Sequence, residues 1–127
     1  MQLTQHDPED RYYVHSLSSV NIQIVETLYS ESLLLTPDLG VSAWPAASIE
    51  SLDSTSLEPI LDYRPDILLL ASGRRMRFPD RNLQIELLRN NIGLEVMTLD
   101  AAARTFNVLA DEHRRVMAAL IWEDGPT

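Results

Sequence analysis

The sequence contains no cysteine and no lysine. The lack of cysteine excludes disulfide bonds, thiolate metal ligands and cysteine nucleophiles. All basic side chains are arginines, which fits codon bias better than a chemical requirement. No apolar run reaches the roughly 18 residues of a membrane span, and the amino terminus lacks the basic start and apolar stretch of a secretory signal. We therefore expect a cytoplasmic protein that does not insert into membranes.

Composition and charge are those of an ordinary folded domain. The chain has 127 residues, of which 45% are hydrophobic and 23% charged, so it can bury a core of its own. We expect a flexible polar tail over residues 1–12 and a single α/β domain over 13–127. The net charge of -9 repels phosphate backbones, so nucleic acid is not an expected partner. Up to Tyr63 the only basic side chain is Arg11, whereas acidic residues recur throughout that stretch.

The amino-terminal half carries the pattern of strands. Apolar and polar residues alternate from residue 20 to 25, which predicts a strand with one buried face. The alternating apolar residues are Val20, Ile22 and Ile24. A polar break precedes the apolar run Leu33–Leu35, so at least two antiparallel strands are expected. A further short strand is expected around Val41 to Trp44.

Three helices are predicted after residue 50. Thr55 and Glu58 have the spacing of a capping box, and Pro65 stops that helix by Arg64. The second helix runs from residue 79 to 91 with Asp80 as its N-cap. Its expected apolar stripe consists of Leu83, Leu87 and Leu88. The third runs from about Leu99 to His113, with Ala102, Phe106 and Leu109 on one face.

Three apolar strands alternate with the last two helices. The segment 66–73 is an unbroken apolar run closed by glycine, as in strands covered on both faces. Shorter apolar strands are expected at 94–97 and 116–122. This alternation predicts right-handed βαβ crossovers and a parallel portion of sheet.

The carboxyl third resembles a known family. The segment from Gly93 to Leu109, followed by 112–120, is similar to the signature of the Mth-type domain-of-unknown-function family, and the likeness continues upstream through 67–73. The resemblance implies a three-layer α/β fold, with a mixed sheet that has antiparallel amino-terminal strands and a parallel βαβαβ carboxyl half. The family includes a mitochondrial assembly factor for respiratory complex I and an adipogenesis-associated protein of animals. The resemblance does not imply a reaction.

Three departures from the family pattern bear on function. Ala71-Ser72-Gly73 stands where the family usually has Gly-Thr-Gly, and Asp100 replaces a residue that is commonly small. Ala103 occupies a position that is often cysteine, so any function that depended on that thiol is lost here.

A ligand-binding crevice is predicted where the parallel strands end. Ligands of open α/β sheets bind beyond the carboxyl ends of the strands, because helix amino termini and loop amides converge there. If 67–72 and 94–97 are neighbours, the loops that follow them line one crevice suited to a small anion. The candidate ligand-binding residues are Ser72, Gly73, Arg74, Arg75, Thr98, Asp100, Arg104 and Asn107.

Structural roles remain open for the same residues. A strand-terminal glycine serves turns, Asp100 and Arg104 have the spacing of a helical ion pair, and Asn107 can cap a neighbouring backbone group. Ser72 lacks the Gly-x-Ser-x-Gly elbow of a hydrolase nucleophile. The three histidines, His6, His15 and His113, lack ligand spacing. We predict no catalytic residue, no metal and no cofactor.

Two hypotheses follow from these patterns. The leading one is a non-catalytic binding or complex-assembly module, a monomer or weak homodimer with an unknown protein partner. The alternative is a sensor or enzyme for a small anionic metabolite that uses the crevice.

Overall fold

The first five elements of the described chain are strands, and helices alternate with strands after them. The computed structural model describes residues 11–73 and 75–122. Its elements are β1 (Val14–Leu17), β2 (Ile22–Ile24), β3 (Thr27–Tyr29), β4 (Leu33–Thr36), β5 (Gly40–Ala43), α1 (Ser54–Tyr63), β6 (Ile67–Ser72), α2 (Arg81–Arg89), β7 (Gly93–Met97), α3 (Leu99–Asp111) and β8 (Val116–Ile121).

Five strands form a mixed sheet in the order β5-β4-β8-β6-β7. β6 lies between β7 and β8 and runs parallel to both, so the predicted parallel βαβαβ half is confirmed. β4 pairs antiparallel with β8 and with β5. The mixed character of the sheet therefore comes from two amino-terminal strands that extend it on one side.

The first three strands form a separate antiparallel sheet in the order β1-β2-β3. The sequence pattern had indicated a single strand beginning at Val20, which is wrong at that residue. Val20 is 65% exposed, and its N–H donates to the Ser18 hydroxyl at 3.3 Å, as does that of Asn21 at 3.2 Å. A serine hydroxyl that accepts nearby backbone amides stabilises a turn, and this turn joins β1 to β2.

The two faces of the five-stranded sheet bury two apolar clusters, which makes three layers. One cluster includes Leu69 and Phe106, and on that face the sheet is covered by α3 and the three-stranded sheet. The other includes Leu68 and Ile60, and there α1 and α2 cover the sheet. Successive residues of β6 point to opposite faces, so its unbroken apolar run serves both clusters. The predicted three-layer architecture is confirmed.

α1 begins earlier than predicted. Asp53, not Thr55, is the N-cap: its carboxylate accepts from the Ser56 N–H at 3.1 Å, and the Ser56 hydroxyl accepts from the Asp53 N–H at 3.1 Å. Serine thus fills the position that the prediction gave to glutamate. The helix ends at Tyr63, and Arg64 follows as its C-cap in left-handed conformation with φ of 56°, so the prediction that the helix stops by Arg64 is confirmed.

The other two helices begin within two residues of their predicted starts, and one residue of their predicted buried faces is exposed. Asp80 caps α2 by accepting from the Asn82 N–H at 3.2 Å. Leu88 was expected in the buried stripe but is 73% exposed, so that assignment is wrong. In α3, Ala102 and Phe106 are fully buried, as predicted. The helix ends at residue 111, two residues before His113.

The residues just before β1 are attached to the β4–β5 turn. The Tyr12 N–H donates to the Pro37 carbonyl at 2.9 Å, and the Tyr12 ring lies against Gly40. Residues 1–10 of the predicted tail lie outside the described residues. Residue 12, at its end, is anchored to the domain.

Candidate ligand-binding crevice at the strand ends

The two strands that the crevice requires are neighbours. β6 and β7 pair in parallel, with Leu70 opposite Val96 and Ala71 opposite Met97. The loops that leave them therefore start at the same edge of the sheet, which is where helix amino termini converge. The sequence prediction of this juxtaposition is confirmed.

A backbone hydrogen bond connects the two loops. The Leu99 N–H, in the first turn of α3, donates to the Gly73 carbonyl at 3.0 Å. Gly73 has a φ of 68°, a conformation that glycine adopts without strain. The Thr98 hydroxyl accepts from the Ala101 N–H at 3.3 Å and caps α3. Gly73 and Thr98 thus hold the start of α3 against the end of β6.

Ser72 is buried beneath this junction. Its side chain is 4% exposed, and its Oγ has no hydrogen-bond partner in the described part of the chain. Ser72 lies opposite Ile121 in the ladder to β8 and forms an isolated bridge with Arg75. A buried hydroxyl without a partner is uncommon and destabilising. At these strand ends the Trp122 Nε1, one residue beyond β8, is the other buried polar atom without a partner among the described residues.

The charged candidates lie on the surface around the junction. Arg75, Asp100 and Arg104 are all exposed. Asp100 lies in the first turn of α3, and Arg104 follows one turn later. Arg74, the remaining arginine of the loop, lies outside the described residues.

Asn107 lies deeper along α3 and has a structural role. Its Oδ1 accepts from the Val14 N–H at 2.8 Å, and its Nδ2 donates to the Val14 carbonyl at 2.8 Å. Both polar atoms of the amide are therefore bound to one residue of β1. The structure brings Ser72, Gly73 and Thr98 together, whereas Asn107 fastens the three-stranded sheet to the helix.

A second polar cluster lies at the opposite side of the sheet, near β5. The Tyr63 hydroxyl donates to the Asp38 carboxylate at 2.7 Å, and the Arg115 guanidinium stacks 3.9 Å from the centre of the Tyr63 ring. The Nε of Arg115 donates to the Arg64 carbonyl at 3.0 Å. These residues are far apart in sequence and follow no motif, so sequence reasoning did not single them out.

The hydrogen bond between Tyr63 and Asp38 shifts the pKa of both side chains. Burial alone would raise the pKa of Asp38, but hydrogen bonds from Tyr63, its own backbone and Thr36 outweigh that effect and hold the pKa below its ordinary 3.8. Burial and the bond to Asp38 raise the pKa of Tyr63 to about 12. The pair is therefore held as carboxylate and neutral phenol across the physiological range.

Residues 11–73 and 75–122 contain neither a cluster of metal ligands nor a helix that could span a membrane. Within them, no group of three or more histidine or acidic side chains is placed to hold a metal ion. No helix in that part of the chain has the length and apolarity to cross a bilayer.

Comparison with known protein families identifies the family of this chain. Residues 14–121 match a family described as "Protein of unknown function (DUF498/DUF598)". The chain belongs to this family. Two solved structures show the same fold. A Xanthomonas campestris protein is 37% identical, with a TM-score of 0.80, and the match covers 95% of this chain and 92% of that one. A Bordetella pertussis protein called a Mth938-like domain is 24% identical, with a TM-score of 0.80 over 100% of this chain and 95% of that one. The expected Mth-type membership is confirmed.

Two curated relatives carry descriptive names. Zebrafish (Danio rerio) "NADH dehydrogenase [ubiquinone] 1 alpha subcomplex assembly factor 3" is 31% identical over 111 residues, which are 86% of this chain and 62% of that protein. A "13 kDa major membrane protein" of Francisella tularensis is 27% identical over 73 residues, which are 58% of this chain and 59% of that protein. The chain thus spans about three fifths of the length of these relatives.

Proposed function

We propose that this chain is a non-catalytic protein-binding module that takes part in the assembly of a protein complex. The observation that carries the proposal is the similarity to the zebrafish assembly factor, which extends over 86% of this chain. That factor's role is a property of the relative, and its transfer to this chain is the proposal. An assembly module needs a surface that a partner can cover. The described surface offers exposed aliphatic side chains, among them Leu28 at 61% and Leu39 at 71% exposure.

The alternative of a small-anion sensor or enzyme has weaker support. Two of its candidate side chains are engaged within the fold, since the Thr98 hydroxyl caps α3 and the Asn107 amide binds Val14. The remaining candidates at the crevice stay a prediction. Thermal-shift measurements with phosphorylated and carboxylated metabolites test it, with Arg75→Ala and Arg104→Ala as variants that should abolish any response.

The test of the proposed function is capture of a partner under native conditions. The tagged full chain is expressed in its own cell at native level, cross-linked briefly and purified, and co-purifying proteins are quantified against the tag alone. We expect a stoichiometric partner in a size-exclusion fraction larger than the free chain. Recovery of no protein above the tag-only background, when the tagged chain itself is recovered in quantity, would contradict the proposal.

A cytoplasmic location and a monomeric or weakly dimeric state belong to the same proposal. Cell fractionation tests the location, and light scattering of the purified chain tests the oligomeric state. A chain that pellets with membranes would contradict the first, and a stable higher oligomer the second.

A further inference from the structure

β5 lies at the end of the five-stranded sheet, so one side of it is open. It pairs with β4, and no other described strand pairs with it. An edge strand presents unpaired backbone N–H and C=O groups, which can accept a further strand. Gly40, the first residue of β5, is covered by the Tyr12 ring. Ser42 and Ala43, at the other end, are exposed.

The register shows which residues direct their backbone groups outward. Beyond the end of the ladder, the Trp44 N–H donates to the Ser32 carbonyl at 3.2 Å. Hydrogen-bonded and non-hydrogen-bonded pairs alternate in an antiparallel ladder, so Ser42, two residues earlier, also bonds to β4. Val41 and Ala43 are then the non-hydrogen-bonded residues. Their N–H and C=O groups point away from β4, toward the open side.

A hollow of about 350 Å³ lies against this edge on one face of the sheet. It separates β5 from β3, the edge strand of the three-stranded sheet. The residues of its wall that matter here are Leu28, Tyr29, Glu31, Leu33, Val41 and Ala43. Leu33 belongs to the apolar cluster under α3, so this hollow lies on the α3 face.

A second hollow of about 150 Å³ lies at the same edge on the opposite face. Its wall includes Leu34, Ser42, Pro59, Tyr63 and Met117. Leu34 belongs to the cluster under α1 and α2. Because neighbouring residues of β4 point to opposite faces, Leu33 and Leu34 mark hollows that β5 separates.

This arrangement suits an added strand. A chain paired along Val41 and Ala43 would direct successive side chains to alternate faces, and therefore into the two hollows in turn. In recognition by strand addition, main-chain hydrogen bonds supply affinity and pockets for alternate side chains supply specificity. The open edge with a hollow on each face has both features.

We propose that β5 binds an extended segment of a protein partner as an additional strand, with an aliphatic side chain in the smaller hollow and an arginine or lysine in the larger one. The inference rests on the proposed function, because it names the surface through which the partner is bound. Aliphatic walls from Leu34, Pro59 and Met117 favour the first side chain. Glu31, an acidic residue that lines the larger hollow, favours the second.

Charge around the edge argues for a basic partner and against a second copy. Residues 12–63 contain neither lysine nor arginine, whereas Glu31 in the wall of the larger hollow and Asp38 in the β4–β5 turn are exposed. Arg115, stacked on Tyr63, faces Asp38, so the acidic charge beside the larger hollow comes from Glu31. A second copy would bring the same acidic surface and a net charge of -9 to the interface. Like charges across an interface are unfavourable, so complementarity requires a basic segment.

The test begins with a displayed library of random linear peptides selected on the purified full chain. We expect enrichment of sequences in which aliphatic and basic residues alternate. One enriched peptide is then titrated into the isotope-labelled chain and followed by NMR. The Val41 and Ala43 amides should shift and become protected from hydrogen exchange, because their outward N–H groups gain acceptors.

Two variants at one position separate the backbone contact from the shape of the surface. Ala43→Pro removes an outward N–H without breaking the β4 ladder, whereas Ala43→Thr keeps that N–H and suits a strand. We expect the peptide to bind Ala43→Pro at least about tenfold more weakly than the wild type and Ala43→Thr within about twofold. Glu31→Arg should reverse the preference, so that a peptide with glutamate in place of its basic residues binds better. Circular dichroism and thermal melting confirm that the variants are folded.

Several outcomes would overturn the inference. They are failure to enrich any peptide, equal binding to wild type and Ala43→Pro, perturbed amides remote from β5, or a homodimer that Ala43→Pro dissociates. The proposed function fails separately. If the wild type captures a partner in cells and Ala43→Pro captures it equally, the assembly role stands and the β5 site is wrong. If the wild type captures none, the assembly role itself is wrong.

Discussion

The hydroxyl of Tyr63 donates a 2.7 Å hydrogen bond to the carboxylate of Asp38. Tyr63 is the last residue of α1, and Asp38 lies in the turn between β4 and β5. On the ring of Tyr63 stacks Arg115, just before β8. Three segments that are distant in sequence are therefore fastened at the side of the sheet where β5 is open.

This bond predicts a pH-dependent contribution to stability. The folded pKa of Asp38 is lowered, so its contribution is present above the ordinary value of 3.8 and is lost as pH falls through the folded value. The pKa of Tyr63 is raised to about 12, so its contribution is present below 10 and is lost as pH rises toward 12. Tyr63→Phe should reduce the free energy of unfolding by about 0.5–1 kcal/mol near neutral pH and by less in acid, as measured by urea denaturation.

The matched background for that measurement is Asp38→Asn. With no carboxylate to titrate, the cost of Tyr63→Phe should stay constant between neutral and acid pH in this background. An equal cost at both pH values in the wild-type background as well would show that the ionisation of Asp38 does not contribute.

A second prediction concerns the effect of a side chain at Gly40 on the free energy of unfolding. Its φ is +82°, and a Cβ at this position would lie 2.8 Å from Cζ of Tyr12. Gly40→Ala should therefore lower the free energy of unfolding by about 1–2 kcal/mol, mostly through backbone strain, with a smaller contribution from displacing the half-exposed ring. In a Tyr12→Ala background the contact is gone and about 1 kcal/mol of strain should remain. A thermal or urea double-mutant cycle measures the difference, and strict additivity would contradict the contact.

The carboxyl half could be predicted from sequence because its signals are local and strong. The unbroken apolar run that became β6, the capping residue Asp80 and the glycine after β6 each fix one feature without help from distant residues. The amino-terminal half was harder, because β1 and β3 are short and their polar residues hide the alternation. Val20 was wrongly assigned to a strand, because the alternation of apolar and polar residues extends by chance into a turn that Ser18 stabilises.

The candidate site shows a similar limit. Topology rules predicted that β6 and β7 are adjacent strands. They did not predict the hydrogen-bond partners of individual side chains. Asn107 binds Val14, which is 93 positions away, and no spacing in the sequence reports such a contact. The open edge of β5 was likewise invisible, because a strand's neighbours are decided by the order of the whole sheet.

Ser72 predicts an unusual response to truncation. Its buried Oγ has no partner among the described residues, so Ser72→Ala removes an unsatisfied polar group. The free energy of unfolding should stay unchanged or rise by up to about 1 kcal/mol. Asp53→Ala is the contrasting control, since it removes a helix cap and should cost about 1 kcal/mol. Chemical denaturation compares them, and a loss of more than about 1 kcal/mol for Ser72→Ala would mean that the hydroxyl is bound to a group such as a water molecule.

We predict that the side chain of Asn107 holds the three-stranded sheet to α3. Its amide satisfies both backbone groups of Val14 at 2.8 Å, and Asn107→Leu would leave the N–H and C=O of a fully buried residue without partners. Each of the two groups costs about 1–3 kcal/mol, so a total loss of about 2–6 kcal/mol is expected. Faster hydrogen exchange in β1 and β2 than in β6 would locate the damage. Val108→Leu, at the adjacent exposed position, should change neither quantity, and equal exchange throughout the chain would contradict a local clamp.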